Sequence, residues 1–225
     1  NAVVGDGWPC WALSNHDVVR VATRWGGADA DPRVLRLAAA FQASLRGTIC
    51  LYQGEELGLP EAELAFEDLQ DPYGITMWPQ FKGRDGCRTP MPWAAGEPNA
   101  GFGPAKPWLP VPAAHLPLAV DQQAARADSL LAYFTQLLHW RRQQPALVHG
   151  SMSLLPCDEQ VLALVREHGD QRVLCAFNFS DRAASLALPA DWVAAAALEG
   201  SGLEGGRVED GNIHLEPWGG IFLAR

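Results

Sequence analysis

The spacing of apolar and polar positions changes once along this chain. Up to about residue 146, short apolar runs alternate with helical stripes. Trp8-Pro9-Cys10-Trp11-Ala12-Leu13 is apolar and ends on polar Ser14-Asn15-His16-Asp17, which predicts a buried strand with polar groups at its C-terminal end. Val34, Leu37, Ala38, Phe41 and Leu45 recur at helical spacing and predict a helix over 32–46. Asp31 is its expected N-cap, Pro32 its first residue and Gly47 its C′ residue. Thr48–Tyr52 then predicts a second buried strand, followed by polar Gln53-Gly54-Glu55-Glu56. Strand–helix–strand is the unit of a parallel α/β architecture. Polar clusters after both strands fit a barrel whose chemistry sits on its C-terminal face.

Residues 60–120 are rich in Pro, Gly and Trp and carry little periodicity. Loops of this length are commonly functional. A second helix is expected over 128–143, capped by Asp128, striped by Leu130, Leu131, Phe134, Leu137 and Leu138, and stopped by Pro145. From Gly150 the pattern becomes β-type: runs at 151–155, 160–166, 172–179, 184–188, 212–215 and 220–223 are separated by turn signals. Val173, Cys175, Phe177 and Phe179 alternate, and His168-Gly169-Asp170 and Asp210-Gly211-Asn212 read as hairpin turns. This predicts an all-β, sandwich-like module.

Composition narrows the function classes. Of 225 residues, 48% are hydrophobic and 19% charged, which suits a packed core. No apolar run approaches the ~18 residues of a membrane span, so no membrane partner is expected. A net charge of -9 argues against nucleic acid and is compatible with a neutral substrate. The first residues lack a signal-peptide pattern and an initiator Met, which reads as a cut inside a longer protein. The five cysteines are odd in number and lack CxxC spacing, so no zinc site or disulfide framework is suggested. Buried thiols in a reducing, cytoplasmic compartment are the expectation. Nine Trp residues support a sugar ligand weakly, because indole faces pack against sugars but also fill cores.

Three segments carry candidate chemistry. Asn15-His16-Asp17, with Arg20 after it, is on its own more simply a capping network at a strand end. Tyr52-Gln53-Gly54-Glu55-Glu56 is on its own a strand end with solvated carboxylates. Gly83-Arg84-Asp85-Gly86-Cys87-Arg88-Thr89-Pro90-Met91-Pro92-Trp93 is on its own a rigid, proline-rich loop held by Arg–Asp pairs. As an ordered set they are more specific, and together they resemble the α-glucosidase branch of the α-amylase superfamily, glycoside hydrolase family thirteen, which includes the oligo-1,6-glucosidases. The resemblance covers essentially the whole chain.

The resemblance implies a fold class of α/β plus all-β: residues 1–146 are the last strands and helices of a (β/α)8 TIM barrel, with a long active-site loop over about 53–120. Residues 147–225 are the C-terminal antiparallel β-sandwich. It also implies an α-glucoside oligosaccharide as substrate, and neither cofactor nor metal ligand within these residues. Retaining glycosidases use a nucleophilic carboxylate and an acid/base carboxylate about 5–5.5 Å apart, and this superfamily adds a third that stabilises the transition state. By resemblance Asp17 takes that third role, His16 bonds the hydroxyls of the sugar being cleaved, and Arg84 holds Asp17 or a glucose hydroxyl. Arg88 is the alternative, and Asp85 and Glu55 are expected as partners of these arginines.

The two carboxylates that make and break bonds come after barrel strands four and five in the family, and no segment here matches them. The expectation is that the chain needs the missing barrel portion for a complete active site and is inactive alone. The alternatives are an isomerising relative of the trehalose synthase kind and a catalytically dead binding or assembly subunit.

Overall fold

The computed structural model describes residues 7–26 and 31–225. The N-terminal stretch read for a signal pattern therefore lies, up to residue 6, outside the described residues. The elements in order are β1 (Cys10–Ala12), α1 (Val21–Gly26), α2 (Pro32–Ser44), β2 (Thr48–Cys50), α3 (Pro72–Met77), α4 (Val120–Ala124), α5 (Leu130–Arg142) and α6 (Pro145–His149). Then come β3 (Ser151–Leu155), β4 (Val161–His168), β5 (Gln171–Asn178), β6 (Ala184–Ala187), β7 (Ala196–Ala197), β8 (Gly206–Glu209), β9 (Asn212–Leu215) and β10 (Gly220–Ala224). Two compact units divide the chain. One holds the described residues up to Trp11 with Pro32–Ile49 and Tyr133–Arg225, and the other holds Cys50–Ala132 with the described residues of Ala12–Asp31.

In the first unit an antiparallel sheet runs in the order β3-β4-β5-β10-β7, beside a second sheet ordered β6-β9-β8. Val165, Leu174, Ala176 and Leu223 face a cluster with Trp192, Ile213 and Leu215, all buried. Removing a Val, Leu or Ile side chain of this cluster from water contributes roughly 1.5–3 kcal/mol. On the opposite face Phe177 meets Phe41 of α2 edge-on at 5.9 Å, and Phe222 meets Trp140 of α5 at 4.7 Å. β5 is therefore buried on both faces from Val173 to Asn178, and not only at the alternate positions of its apolar stripe. Gly169 and Asp170 close the β4–β5 hairpin, with His168 opposite Gln171. Asp210 and Gly211, both at positive φ (48° and 73°), close β8–β9 as a two-residue turn.

α2 ends at Ser44, and two arginines serve its terminal carbonyls. Arg141 Nε donates to Ala43 O at 2.7 Å and Arg166 Nη1 to Ser44 O at 2.6 Å. Cations at a helix C-terminus also meet its dipole favourably. Gly47 lies three residues past the helix and is not its C′ residue. A Cβ there would stand 2.5 Å from Pro9 O and 2.9 Å from the Trp11 ring. α5 is capped by Ser129, whose Oγ accepts the Ala132 N–H at 3.1 Å, rather than by Asp128. Its buried stripe is Tyr133, Phe134, Leu137 and Trp140, rotated from the expected Leu130, Leu131 and Leu138.

β1 and β2 pair with one another, and Thr48 N–H donates to Pro9 O at 2.8 Å. The apolar pattern predicts burial for both. Instead all three β1 residues are exposed, as are Thr48 and Cys50, because no third strand among the described residues joins this sheet. The cysteine expectation is corrected in the same way: Cys87 and Cys175 are buried, but Cys10, Cys50 and Cys157 are exposed.

The second unit holds most of the long loop. Among the described residues its helices are short, and it is packed by its own side chains. Leu57, Leu59 and Met91 form one buried cluster, and Ala62, Leu64, Leu69 and Leu109 another. Polar side chains replace missing ladders. Gln123 Nε2 donates to Leu57 O (2.7 Å) and Leu118 O (3.1 Å), and His115 Nε2 lies 2.9 Å from Pro60 O. Burial lowers the His115 pKa to about 4, so this ring is neutral and Nε2 donates.

Candidate active site

The site is assembled from the Asn15–Asp17 turn and the 71–88 segment, both in the second unit. The turn is fixed locally: Asn15 Oδ1 accepts the Asp17 N–H at 2.8 Å, and Ser14 Oγ accepts the Val21 N–H at 2.8 Å, ordering the first turn of α1. Arg20 comes next as a buried clasp. Its Nη1 donates to Gln53 O (2.8 Å) and its Nη2 to Cys87 O (2.9 Å), while its backbone N–H donates to Glu61 Oε2 (2.9 Å). One side chain therefore ties together all three segments singled out in the sequence. Tyr52 lies under this guanidinium at 5.4 Å and donates its hydroxyl to Cys87 O at 3.0 Å.

Asp17 is the centre of the cluster. Its Oδ1 accepts from Arg84 Nη1 at 3.0 Å and Arg88 Nη2 at 3.1 Å, and its Oδ2 lies 3.3 Å from His16 Nε2. Arg88 Nε also donates to His16 O at 2.8 Å, gripping the turn from a second side. The hydrogen bond from Arg84, assisted by the charges of His16, Arg84 and Arg88, holds the Asp17 carboxyl below the usual carboxylate range. Its side chain is 50% exposed and that of His16 69%, so both present free edges outward.

Sequence reasoning misses Asp71. This buried carboxylate takes the Arg84 guanidinium in a fork, Nε to Oδ2 at 2.8 Å and Nη2 to Oδ1 at 3.0 Å, and also accepts the Arg84 N–H at 2.8 Å. The fork pulls the Asp71 pKa strongly down and the Arg84 pKa up. Asp71 is also the N-cap of α3, accepting the Tyr73 N–H at 3.3 Å, with Pro72 at the first helical position. Two glycines let the chain segments approach: a Cβ on Gly74 would stand 2.5 Å from Lys82 O, and one on Gly83 (φ 76°) 2.9 Å from Gly74.

Among the described residues neither Asp85 nor Glu55 forms an ion pair with Arg84 or Arg88, and the arginine charges that reach Glu55 are those of Arg24 and Arg20. Asp85 Oδ2 accepts the backbone N–H groups of Gln70 (2.6 Å) and Asp71 (2.7 Å), so it supports the carboxylate that supports Arg84. Glu55 is buried, with Oε2 at 3.5 Å from Tyr52 N and Oε1 without a partner among the described residues. Burial raises its pKa to about 7. Among the described residues no group of three or more His, Cys, Asp or Glu side chains is arranged to hold a metal ion.

Residues 1–150 match the α-amylase catalytic domain, and residues 152–221 match the maltogenic amylase C-terminal domain. The chain belongs to the α-amylase family. Its fold is the C-terminal portion of that family's (β/α)8 barrel with an antiparallel β-sandwich after it. A probable α-glucosidase of Rhizobium meliloti (strain 1021) is 47% identical over 219 residues, covering 96% of this chain and 39% of the relative. An oligo-1,6-glucosidase of Parageobacillus thermoglucosidasius is 32% identical over 206 residues, 82% of this chain and 36% of the relative. The solved α-glucosyl transfer enzyme XgtA superposes with a TM-score of 0.90 at 54% identity, covering 97% of this chain and 40% of that one. The trehalose-6-phosphate hydrolase of Bacillus licheniformis gives 0.82 at 25% identity, covering 98% and 43%. The chain spans 36–39% of these two glucosidases' lengths.

Proposed function

We propose that this chain is the C-terminal part of a retaining α-glucosidase that releases or transfers terminal α-linked glucose from short oligosaccharides. The observation that carries the reading is the Asp17 cluster: a half-exposed carboxylate kept ionised by two guanidinium groups, beside an exposed imidazole. With Oδ1 taken by the arginines, Oδ2 and the His16 ring remain to meet vicinal sugar hydroxyls. A fixed negative charge there offsets the positive charge that develops on an oxocarbenium-like centre. Asp17 acts as transition-state stabiliser, His16 bonds the sugar, and Arg84 and Arg88 set the charge and orientation of Asp17.

The nucleophile and the acid/base come from barrel segments outside these 225 residues, in a division of the chain at about residues 146 and 147. The 225 residues alone do not hydrolyse p-nitrophenyl α-glucoside. A cytoplasmic location belongs to the same reading, supported by five free thiols, three of them exposed. Transfer as well as hydrolysis is favoured by the 54% identity to a protein described as an α-glucosyl transfer enzyme. The test is the longer protein on p-nitrophenyl α-glucoside, with the released glucose followed by NMR before it mutarotates. Release of glucose as the α-anomer is expected. Release as the β-anomer, or no glucose release, overturns the proposal.

A further inference from the structure

A cleft of about 450 Å³ opens in the second unit and shares no residue with the Asp17 cluster. Trp108, 63% exposed, lies in its wall, and Glu67, Asp68, Glu97, Asn99 and Lys106 are set around it. The volume is in the range of small-ligand sites. Part of its wall is fixed in advance. Asn99 and Ala100 both sit at φ 52°, a strained backbone for non-glycine residues. Ala100 O accepts the N–H groups of Trp93 (2.8 Å) and Ala94 (2.9 Å). Asn99 Nδ2 donates to Gly103 O (2.7 Å) and Ala105 O (2.9 Å), which leaves its amide oxygen as an acceptor.

The chemistry of the lining selects a ligand class. An open indole face packs against the C–H face of a pyranose ring. The carboxylates of Glu67, Asp68 and Glu97 are acceptors suited to hydroxyl donors, and Lys106 supplies a donor. Three carboxylates repel an anion, and a purely apolar ligand would leave them desolvated without partners.

We propose that this cleft is a binding site for a neutral gluco-oligosaccharide, stacked on Trp108 with its hydroxyls donated to the surrounding carboxylates. The inference goes beyond the reading of Asp17 and does not rest on it. Its test reads binding rather than turnover, so its failure leaves the proposed glucosidase activity untouched. Maltotriose is titrated by calorimetry into the full chain carrying Asp17→Asn, which removes the carboxylate charge at the other cluster. Saturable binding is expected to persist there, to weaken at least tenfold on adding Trp108→Ala, and to recover largely with Trp108→Phe. Trp108 is exposed, so circular dichroism should be unchanged. Glu97→Gln, which keeps the shape of the cleft, should weaken binding severalfold and serves if Trp108→Ala does not fold. Absence of saturable binding in the Asp17→Asn chain, or equal affinity with and without Trp108, overturns the proposal. So does binding of glucosamine without binding of maltotriose, which would make the cleft a cation site.

Discussion

Asp71 and Arg84 form a forked ion pair, Nε–Oδ2 2.8 Å and Nη2–Oδ1 3.0 Å, that leaves Arg84 Nη1 free to reach Asp17. The fork uses two of the five N–H donors of the guanidinium and aims a third. Asp85 in turn holds the Asp71 backbone, so the orientation of Asp17 traces back through two buried carboxylates. Arg84 holds Asp17, and its own position is set by Asp71.

Asp71→Asn replaces one fork oxygen with an amide nitrogen facing the guanidinium. In the longer protein, kcat on maltose should fall by roughly ten- to a hundredfold with a smaller change in KM, because the loss falls on transition-state charge. Stability should drop by about 2 kcal/mol in urea denaturation, below the ~3–5 kcal/mol of a fully buried broken pair, since Arg84 is partly exposed. Unaltered kcat would show that Asp71 does not act on Asp17 through Arg84.

Glu55 gives a pH signature of stability. Burial raises its folded-state pKa from 4.5 to about 7, so the unfolded chain releases this proton first as pH rises. Stability is therefore lost between about pH 4.5 and 7 and is then level, by up to about 3 kcal/mol. Glu55→Gln should remove this slope: against the unaltered chain it should gain stability at pH 8 and gain little at pH 4.5. Denaturation midpoints at the two pH values check it, and an equal shift at both contradicts it.

Arg166 is fully buried and donates to three backbone carbonyls, Ser44 O, Gly150 O and Ser151 O, at 2.6, 2.9 and 3.0 Å. Burial lowers its pKa to about 10, yet it stays charged near neutral pH. Arg166→Met should destabilise the chain by about 3 kcal/mol, because these carbonyls lose their donors while a costly buried charge is also relieved. Chemical denaturation measures this. A stabilised variant would mean that charge burial outweighs the carbonyl bonds.

The β-rich half is the more legible in the sequence. Its predicted runs fall on β3, β4, β5, β6, β9 and β10 to within about a residue or two at most ends, because turn residues such as Gly169 and Asp210-Gly211 mark their limits. β7 and β8 escape: Ala196–Ala197 is too short for a pattern, and Gly206–Glu209 offers one apolar residue. Apolar β1 and β2 read as buried, but an apolar sequence records a need for cover and not which element provides it. At the site, Asp17, His16, Arg84 and Arg88 are legible through ordered motifs. Asp71 is not, although Asp71-Pro72 carries the same helix-start signal as Asp31-Pro32. That signal explains the carboxylate locally and hides its longer-range partner, thirteen residues on.

The role of Asp17 is tested by kcat of Asp17→Asn in the longer protein on maltose. The neutral amide keeps the size of the side chain and removes the charge that Arg84 and Arg88 hold in place. A fall in kcat of at least about 10²–10³ is predicted. An unaltered kcat would contradict the role of Asp17 and, with it, the reading of the whole cluster.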